Sequence, residues 1–325
     1  MAMYAIAIAT IPLIRKLKEK CPDVKQAWYA DDATGAASCN NLRYWWNELS
    51  RLGPLYGYHP NPAKTYLVVK EEHKENATSA FANTGVQITT EGKRHLGTAI
   101  GSHSFTKEYV TGKVEEWTQE VERLARVAVS QPQAAYAAFT HGLTGRWTYL
   151  LRTIPDIHNL LFPLETAIKH LLIPALSGLP SCSTLERDLL ALPVRHGGLG
   201  IVNPTTLPSQ FYKASETICK PLVSLIVSQD MDQNADPMIT ATAKRDVRAL
   251  NRAEHAQQAN DVKDKLPSDL KRHADLASEK GASSWLSVIP GAHKEKERLN
   301  STYTRGSRLV IAGETALLGF YSLLL

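Results

Sequence analysis

The sequence predicts an α+β fold in which short strands come first and helices follow. Three observations predict it: β-rich runs separated by turn residues fill residues 24–101, apolar positions recur at helical spacing from residue 105 onward, and prolines punctuate that second part. With 325 residues, 43% hydrophobic and 21% charged, the chain is long enough for one large domain or two smaller ones. The expected divisions are residues 1–104 (strands and helices), 105–202 (helical), 203–290 (a helical extension) and 291–325 (a divergent tail).

Residues 1–14 are almost wholly apolar and read as a buried helix, since a bilayer span needs about 20 such residues and a leader needs basic residues ahead of the run. Pro22 breaks this helix. Residues 24–29 then read as a strand, Asp31-Asp32 as a turn and 33–37 as a return strand of small residues, so the two carboxylates sit at a hairpin tip. Asn40 or Asn41 can cap a helix in which Leu42, Trp45, Trp46, Leu49 and Leu52 recur at helical spacing, and Gly53-Pro54 ends it. Its tryptophan pair reads as core.

Residues 57–62 are turn chemistry, and 65–69 form a strand directly behind Lys64. Charged residues 70–75 read as a loop, 86–89 as a strand and 94–101 as a hairpin. Beyond these, Val114, Trp117, Val121, Leu124 and Val127 make one helical stripe, and helices are expected over 133–152, 156–176, 184–192 and 208–228. The segment His196-Gly197-Gly198-Leu199-Gly200 reads as a plain turn, because it lacks dinucleotide or Walker spacing. Residues 236–280 shift to Ala, Lys, Arg, Asp and Gln, which predicts a solvated helical arm or a loosely ordered segment.

A net charge of +5 and a pI near 8.9 permit a polyanionic partner without identifying one. Cys21, Cys39, Cys182 and Cys219 form no Cys-x-x-Cys pair, which argues against a zinc site and for free thiols in a reducing compartment. The expectation is a soluble intracellular protein of nucleus or cytoplasm, not secreted, with no membrane partner and no small-molecule redox cofactor.

Adjacent aspartates on a tight turn are costly unless a cation sits against them. Mg²⁺, with Mn²⁺ as a substitute, takes hard oxygen ligands and is commonly shared between carboxylates and substrate phosphates. In two-metal nucleotidyl transfer, one ion activates the attacking hydroxyl and the other holds the leaving group. Asp31 and Asp32 are therefore the candidate metal ligands. A bare surface turn is the alternative reading of the same residues.

The order of hairpin, helix, Asn61-Pro62-Ala63-Lys64-Thr65 turn, strand, hairpin and helical region resembles the palm and thumb of reverse transcriptases. The wording is similar too, at Gln26-Ala27-Trp28-Tyr29-Ala30-Asp31-Asp32-Ala33-Thr34, at Gly53-Pro54-Leu55-Tyr56-Gly57-Tyr58 and at Leu192-Pro193-Val194-Arg195-His196-Gly197-Gly198-Leu199-Gly200. Together these look like segments of eukaryotic, non-LTR-like retrotransposon polymerases. The resemblance implies a partial palm, a helical thumb-like region and a helical extension. It also implies RNA-directed DNA polymerase activity on an RNA template, a DNA primer and deoxynucleoside triphosphates. Residue by residue, Asp31 and Asp32 fall on the family's metal pair, Tyr29 on the aromatic beside the primer end, and Lys64 on the lysine placed to protonate pyrophosphate. Leu96 and Gly97 fall in the primer grip.

The match departs upstream, where only Glu19 and Asp23 precede Asp31 as acids, and both lie too close along the chain to act as a carboxylate from a separate strand. The family's site would thus be half built, and the expectation is a fragment inactive alone. A non-catalytic nucleic-acid-binding remnant and an unrelated helical scaffold are the competing functions.

Overall fold

The computed structural model describes residues 2–229 and 237–287, so the expected tail at 291–325 lies outside the described residues. The chain divides into two units. Unit 1 comprises Met1–Glu108 and Glu216–Lys244, and unit 2 comprises Tyr109–Ser215 and the described residues from Arg245 on. The fold is mostly helical with small two-stranded sheets, which fits the α+β class.

Unit 1 begins with α1 (Ala2–Lys20), followed by β1 (Lys25–Tyr29) and β2 (Asp32–Ala36), paired antiparallel with Tyr29 opposite Asp32. The return strand thus starts at Asp32, one residue before the position expected. Next comes α2 (Cys39–Leu52), capped by Ser38, whose Oγ accepts from the Asn41 amide at 3.4 Å. Neither Asn40 nor Asn41 is the cap, because the extended backbone a cap needs falls at Ser38. A 3₁₀ turn at Gly53–Tyr56 continues past the expected stop. The strand β3 (Tyr66–Val68) then pairs in parallel with β4 (Gln87–Thr89), and the hairpin of β5 (Gly92–His95) and β6 (Thr98–Gly101) closes this part.

The two tryptophans of α2 serve different cores. Trp45 packs with Leu13, Leu17 and Val24, whereas Trp46 packs with Leu67, Ala77 and Phe81. Ala77 belongs to α3 (Lys74–Ala80), which with a 3₁₀ turn at Glu71–His73 replaces the loop expected over 70–75. Burial of Ala77 and Phe81 outweighs the charge of the preceding residues. The buried-helix expectation for residues 1–14 is half corrected. The segment is helical, but Tyr4 is 77% exposed and Ile8 67%, and burial sets in only at Thr10, Leu13 and Leu17.

The helix α4 (His103–Ala128) passes from unit 1 into unit 2 after Glu108, and its unit 2 part buries Val110, Val114, Trp117, Val121, Ala125 and Ala128. These positions keep the helical period and hold one face, whereas the expected series of 114, 117, 121, 124 and 127 runs short of that period, so its last member Val127 faces outward at 47% exposure. The single helix expected over 133–152 is interrupted. It runs as α5 (Pro132–Ala138), a π segment at Phe139–Leu143 and α6 (Thr144–Thr153), with Thr140, Thr144 and Thr148 each donating a hydroxyl to the carbonyl four residues back. Likewise the helix expected over 156–176 becomes α7 (Phe162–Ala167), a π segment at Ile168–Leu172 and α8 (Ile173–Ser177). Pro174 supplies the reason here: it lacks an N–H and crowds the carbonyl four residues earlier, and a widened turn relieves both.

Among the described residues, only His158–Ser177 is long and apolar enough by composition to cross a membrane. Within it, Glu165 is tied to buried Arg187 by two hydrogen bonds of 2.7 and 2.8 Å, and Arg187 also donates to the Ile201 carbonyl at 2.6 Å. Arg187 lies on α9 (Thr184–Ala191), which starts in a reciprocal capping box between Ser183 and Glu186. The helix α10 (Pro208–Ser228) follows at the expected limits. The segment 236–280 is not loose: it forms α11 (Pro237–Lys263) and α12 (Ser268–Ala277). Ala259, Val262, Leu266 and Ala274 are buried there against Leu189 and Leu192. Its apolar residues are few, but they concentrate at the C-terminal end of α11 and in α12, where the packing occurs.

Candidate metal and nucleic-acid site

The hairpin tip is built by the register of β1 and β2. With Tyr29 opposite Asp32, only Ala30 and Asp31 remain to turn the chain, and Ala30 takes a left-handed conformation at φ +55°. That conformation costs a side-chain-bearing residue about 1–2 kcal/mol and persists only where neighbours hold it. Two neighbours do. Tyr58 donates its hydroxyl to the Asp31 carbonyl at 3.0 Å, and its ring meets Trp28 edge-on at 5.2 Å between centroids.

Tyr58 reaches the tip because its loop folds back tightly. Gly57 turns at φ +72°, and a Cβ on Gly53 would stand 2.5 Å from the Tyr58 carbonyl. Burial, and then the carboxylates of Asp31 and Asp32, push the Tyr58 phenol above its ordinary pKa. The negative charge of the aspartate pair is therefore felt at that hydroxyl.

Asp31 and Asp32 are exposed, and neither carboxylate has an ion-pair partner among the described residues. They line an open cleft of about 1140 Å³ within unit 1. Lys64 and Leu96 line the same cleft, as do Lys93, Arg94 and His95. Lys64 ends a 3₁₀ turn, Pro62–Lys64, that Asn61 caps by accepting from the Ala63 amide at 3.0 Å. Leu96 and Gly97 form the tip of the β5–β6 hairpin with φ of +46° and +84°, and Thr34 joins that hairpin to β2 through a 3.3 Å contact with His95 Nε2. Tyr29 is 60% exposed on the strand just before the turn.

Compared with protein-family models, curated proteins and solved structures, the chain matches none.

The site therefore stands on its own chemistry. Two exposed neighbouring carboxylates suit a hard divalent cation that keeps several waters. Among the described residues no group of three or more His, Cys, Asp or Glu converges to hold a metal. Such a cation would take oxygen donors from the pair and need the rest of its coordination from elsewhere. Around it, Lys64, Lys93 and Arg94 give the cleft a cationic wall suited to phosphates. Lys93 is oriented by the Tyr66 ring, with its ammonium 3.7 Å from the centroid. Sequence reasoning missed Tyr58, Lys93 and His95 as members of the site. Their only sequence signal was proximity to the turns at 57–62 and 94–101.

Proposed function

We propose that this chain is a reverse-transcriptase palm-and-thumb fragment, contributing two of the carboxylates of an RNA-directed DNA polymerase site. The observation that supports it best is the Asp31–Asp32 pair at a hairpin tip, in a cleft walled by Lys64, Lys93 and Arg94. Held between that pair and substrate phosphates, Mg²⁺ would activate a primer 3′-hydroxyl and offset charge on the triphosphate.

The chain's own residues have separable tasks. Asp31 and Asp32 would hold the cation. Lys64 stands in the cleft with no ion-pair partner among the described residues, free to donate a proton or a hydrogen bond to a departing phosphate oxygen. Tyr29 offers an exposed ring for the primer end, and the Leu96–Gly97 turn offers backbone to the primer strand. RNA template, DNA primer and deoxynucleoside triphosphates are the partners this reading implies. With two carboxylates gathered among the described residues, this reading expects no polymerisation by the chain unaided. That same observation favours a second reading, a nucleic-acid-binding remnant without catalysis.

Two measurements test the reading. Mn²⁺ binding, followed by electron paramagnetic resonance, is expected in the parent and lost in the Asp31→Asn, Asp32→Asn double variant. Equal binding by both would remove the metal site and with it the polymerase assignment. Primer extension on poly(rA)/oligo(dT) with Mg²⁺ is expected from neither protein, and extension by the parent alone would overturn the view that the site is incomplete.

A further inference from the structure

Unit 2 carries a second concentration of positive charge, around the turn that follows α9. Arg195 is exposed and fixed by two imidazoles: its Nε donates to His196 Nε2 at 3.2 Å, and its Nη2 lies 3.2 Å from His255 Nδ1. The turn beneath it cannot shift easily. A Cβ on Gly197, which sits at φ +88°, would stand 2.2 Å from the Ala274 carbonyl, and one on Gly198 would stand 2.1 Å from that of Leu192. The guanidinium is thus held in place before any ligand arrives.

His255 lies on α11, and Arg252 and Arg248 precede it by three and seven residues. At 1.5 Å per residue these three positions mark one helix face over about 10 Å. Both arginines are exposed and have no hydrogen-bond or ion-pair partner among the described residues. Of the nearby acids, Asp275 pairs with Lys263 at 2.8 Å and Asp246 with Arg245 at 3.5 Å, while Glu254 accepts from the neutral Gln210 amide, which offsets no charge. From α12, which packs against the turn, His273 adds an imidazole whose Nδ1 is buried without a hydrogen-bond partner.

We propose that Arg195, Arg248 and Arg252, with His196 and His255, form a stripe that binds successive phosphates of a nucleic-acid backbone. A line of about 10 Å is too long for one phosphate to span and fits a chain of them. The stripe makes no use of Asp31 or Asp32, so it stands apart from the polymerase reading.

The two histidines give this surface a signature that a plain basic patch lacks. Burial first, and then the Arg195 charge, hold both imidazoles below the ordinary histidine pKa, with Lys263 acting in the same direction on His196 and Glu254 opposing on His255. An arriving phosphate takes over the Arg195 N–H groups, frees the imidazole nitrogens of His196 and His255 that face them, and favours the protonated forms of both rings, so binding takes up protons and tightens as pH falls below neutrality.

The test is fluorescence anisotropy of the full chain with a fluorescein-labelled 20-nucleotide DNA in EDTA, which silences any divalent-metal contribution. The Arg248→Gln, Arg252→Gln variant removes no hydrogen bond or ion pair among the described residues and should keep the fold. It is expected to lose roughly ten-fold in affinity per arginine near 0.1 M salt, and to flatten the log–log salt slope by about two. Between pH 7.5 and 5.5 the parent should tighten more than a His196→Gln, His255→Gln variant. Unchanged affinity and salt slope in the arginine variant would overturn the proposal. So would displacement of the DNA by millimolar inorganic phosphate at constant ionic strength, or a preference for polyglutamate over DNA. The Arg248→Gln, Arg252→Gln variant should still bind Mn²⁺ as the parent does, because neither arginine lines the cleft that holds Asp31 and Asp32, so loss of this surface and loss of the metal site remain distinguishable.

Discussion

Tyr58 ties the hairpin tip to a loop 27 residues further on, through one hydroxyl and one ring edge. Tyr58→Phe removes only the hydroxyl, and a single neutral hydrogen bond contributes about 1 kcal/mol net. A urea titration should show a loss of that size, and no loss would mean that the Asp31 carbonyl is equally well satisfied by water. The aspartate pair itself was legible in the sequence because adjacency on a turn is a local property. Tyr58 was not, since no local pattern in Gly57-Tyr58-His59 says that the phenol returns to the Asp31 carbonyl. Lys93 and His95 were hidden for the same reason: each owes its place in the cleft to a partner, Tyr66 or Thr34, distant along the chain.

Elements whose limits rest on local signals were read closely. The helix at Pro208–Ser228 starts at its proline, and Thr184–Ala191 starts in its capping box. Elements decided by packing were read less well. The charged stretch at 71–80 becomes helical because Ala77 has a core to enter, and α11 is anchored by Ala259 and Val262, too sparse to register as periodicity. That anchoring has a pH dependence. His196, on the turn after α9, and His255, on α11, have pKa values lowered in the folded chain from the ordinary 6.5, so the unfolded chain binds protons first as pH falls. Their contribution to stability is complete above that ordinary value and is lost as pH drops through it toward the lowered values. The urea midpoint should therefore fall between pH 7.5 and 5.5 by more in the parent than in the His196→Gln, His255→Gln variant. An equal fall in both would assign the acid sensitivity to other groups.

At the scale of the whole molecule, the chain enters and leaves its units within helices, at 108/109 inside α4, 215/216 inside α10 and 244/245 inside α11. Linear patterns reveal the helices but give no sign that residues 216–244 keep company with residues 1–108. The join is made by buried glutamines. Gln229 donates to the Gln26 carbonyl at 2.9 Å, while Gln26 donates to the Ile14 carbonyl at 3.1 Å and accepts from Trp28 Nε1 at 3.1 Å. This bond spans 203 residues. On a ribosome working at about 5–20 residues per second, Gln229 follows Gln26 by roughly 10–40 s. Throughout that interval the aspartate-bearing hairpin has emerged without its last support. Nascent chains stalled with residues 1–202 outside the exit tunnel should be cleaved by protease around residues 14–30, and chains stalled with residues 1–250 outside should resist. Equal resistance would mean that the hairpin matures without Gln229. If the difference holds, translation speed across the helical middle of the message decides how long an unfinished strand pair stands open to its neighbours on the same polysome.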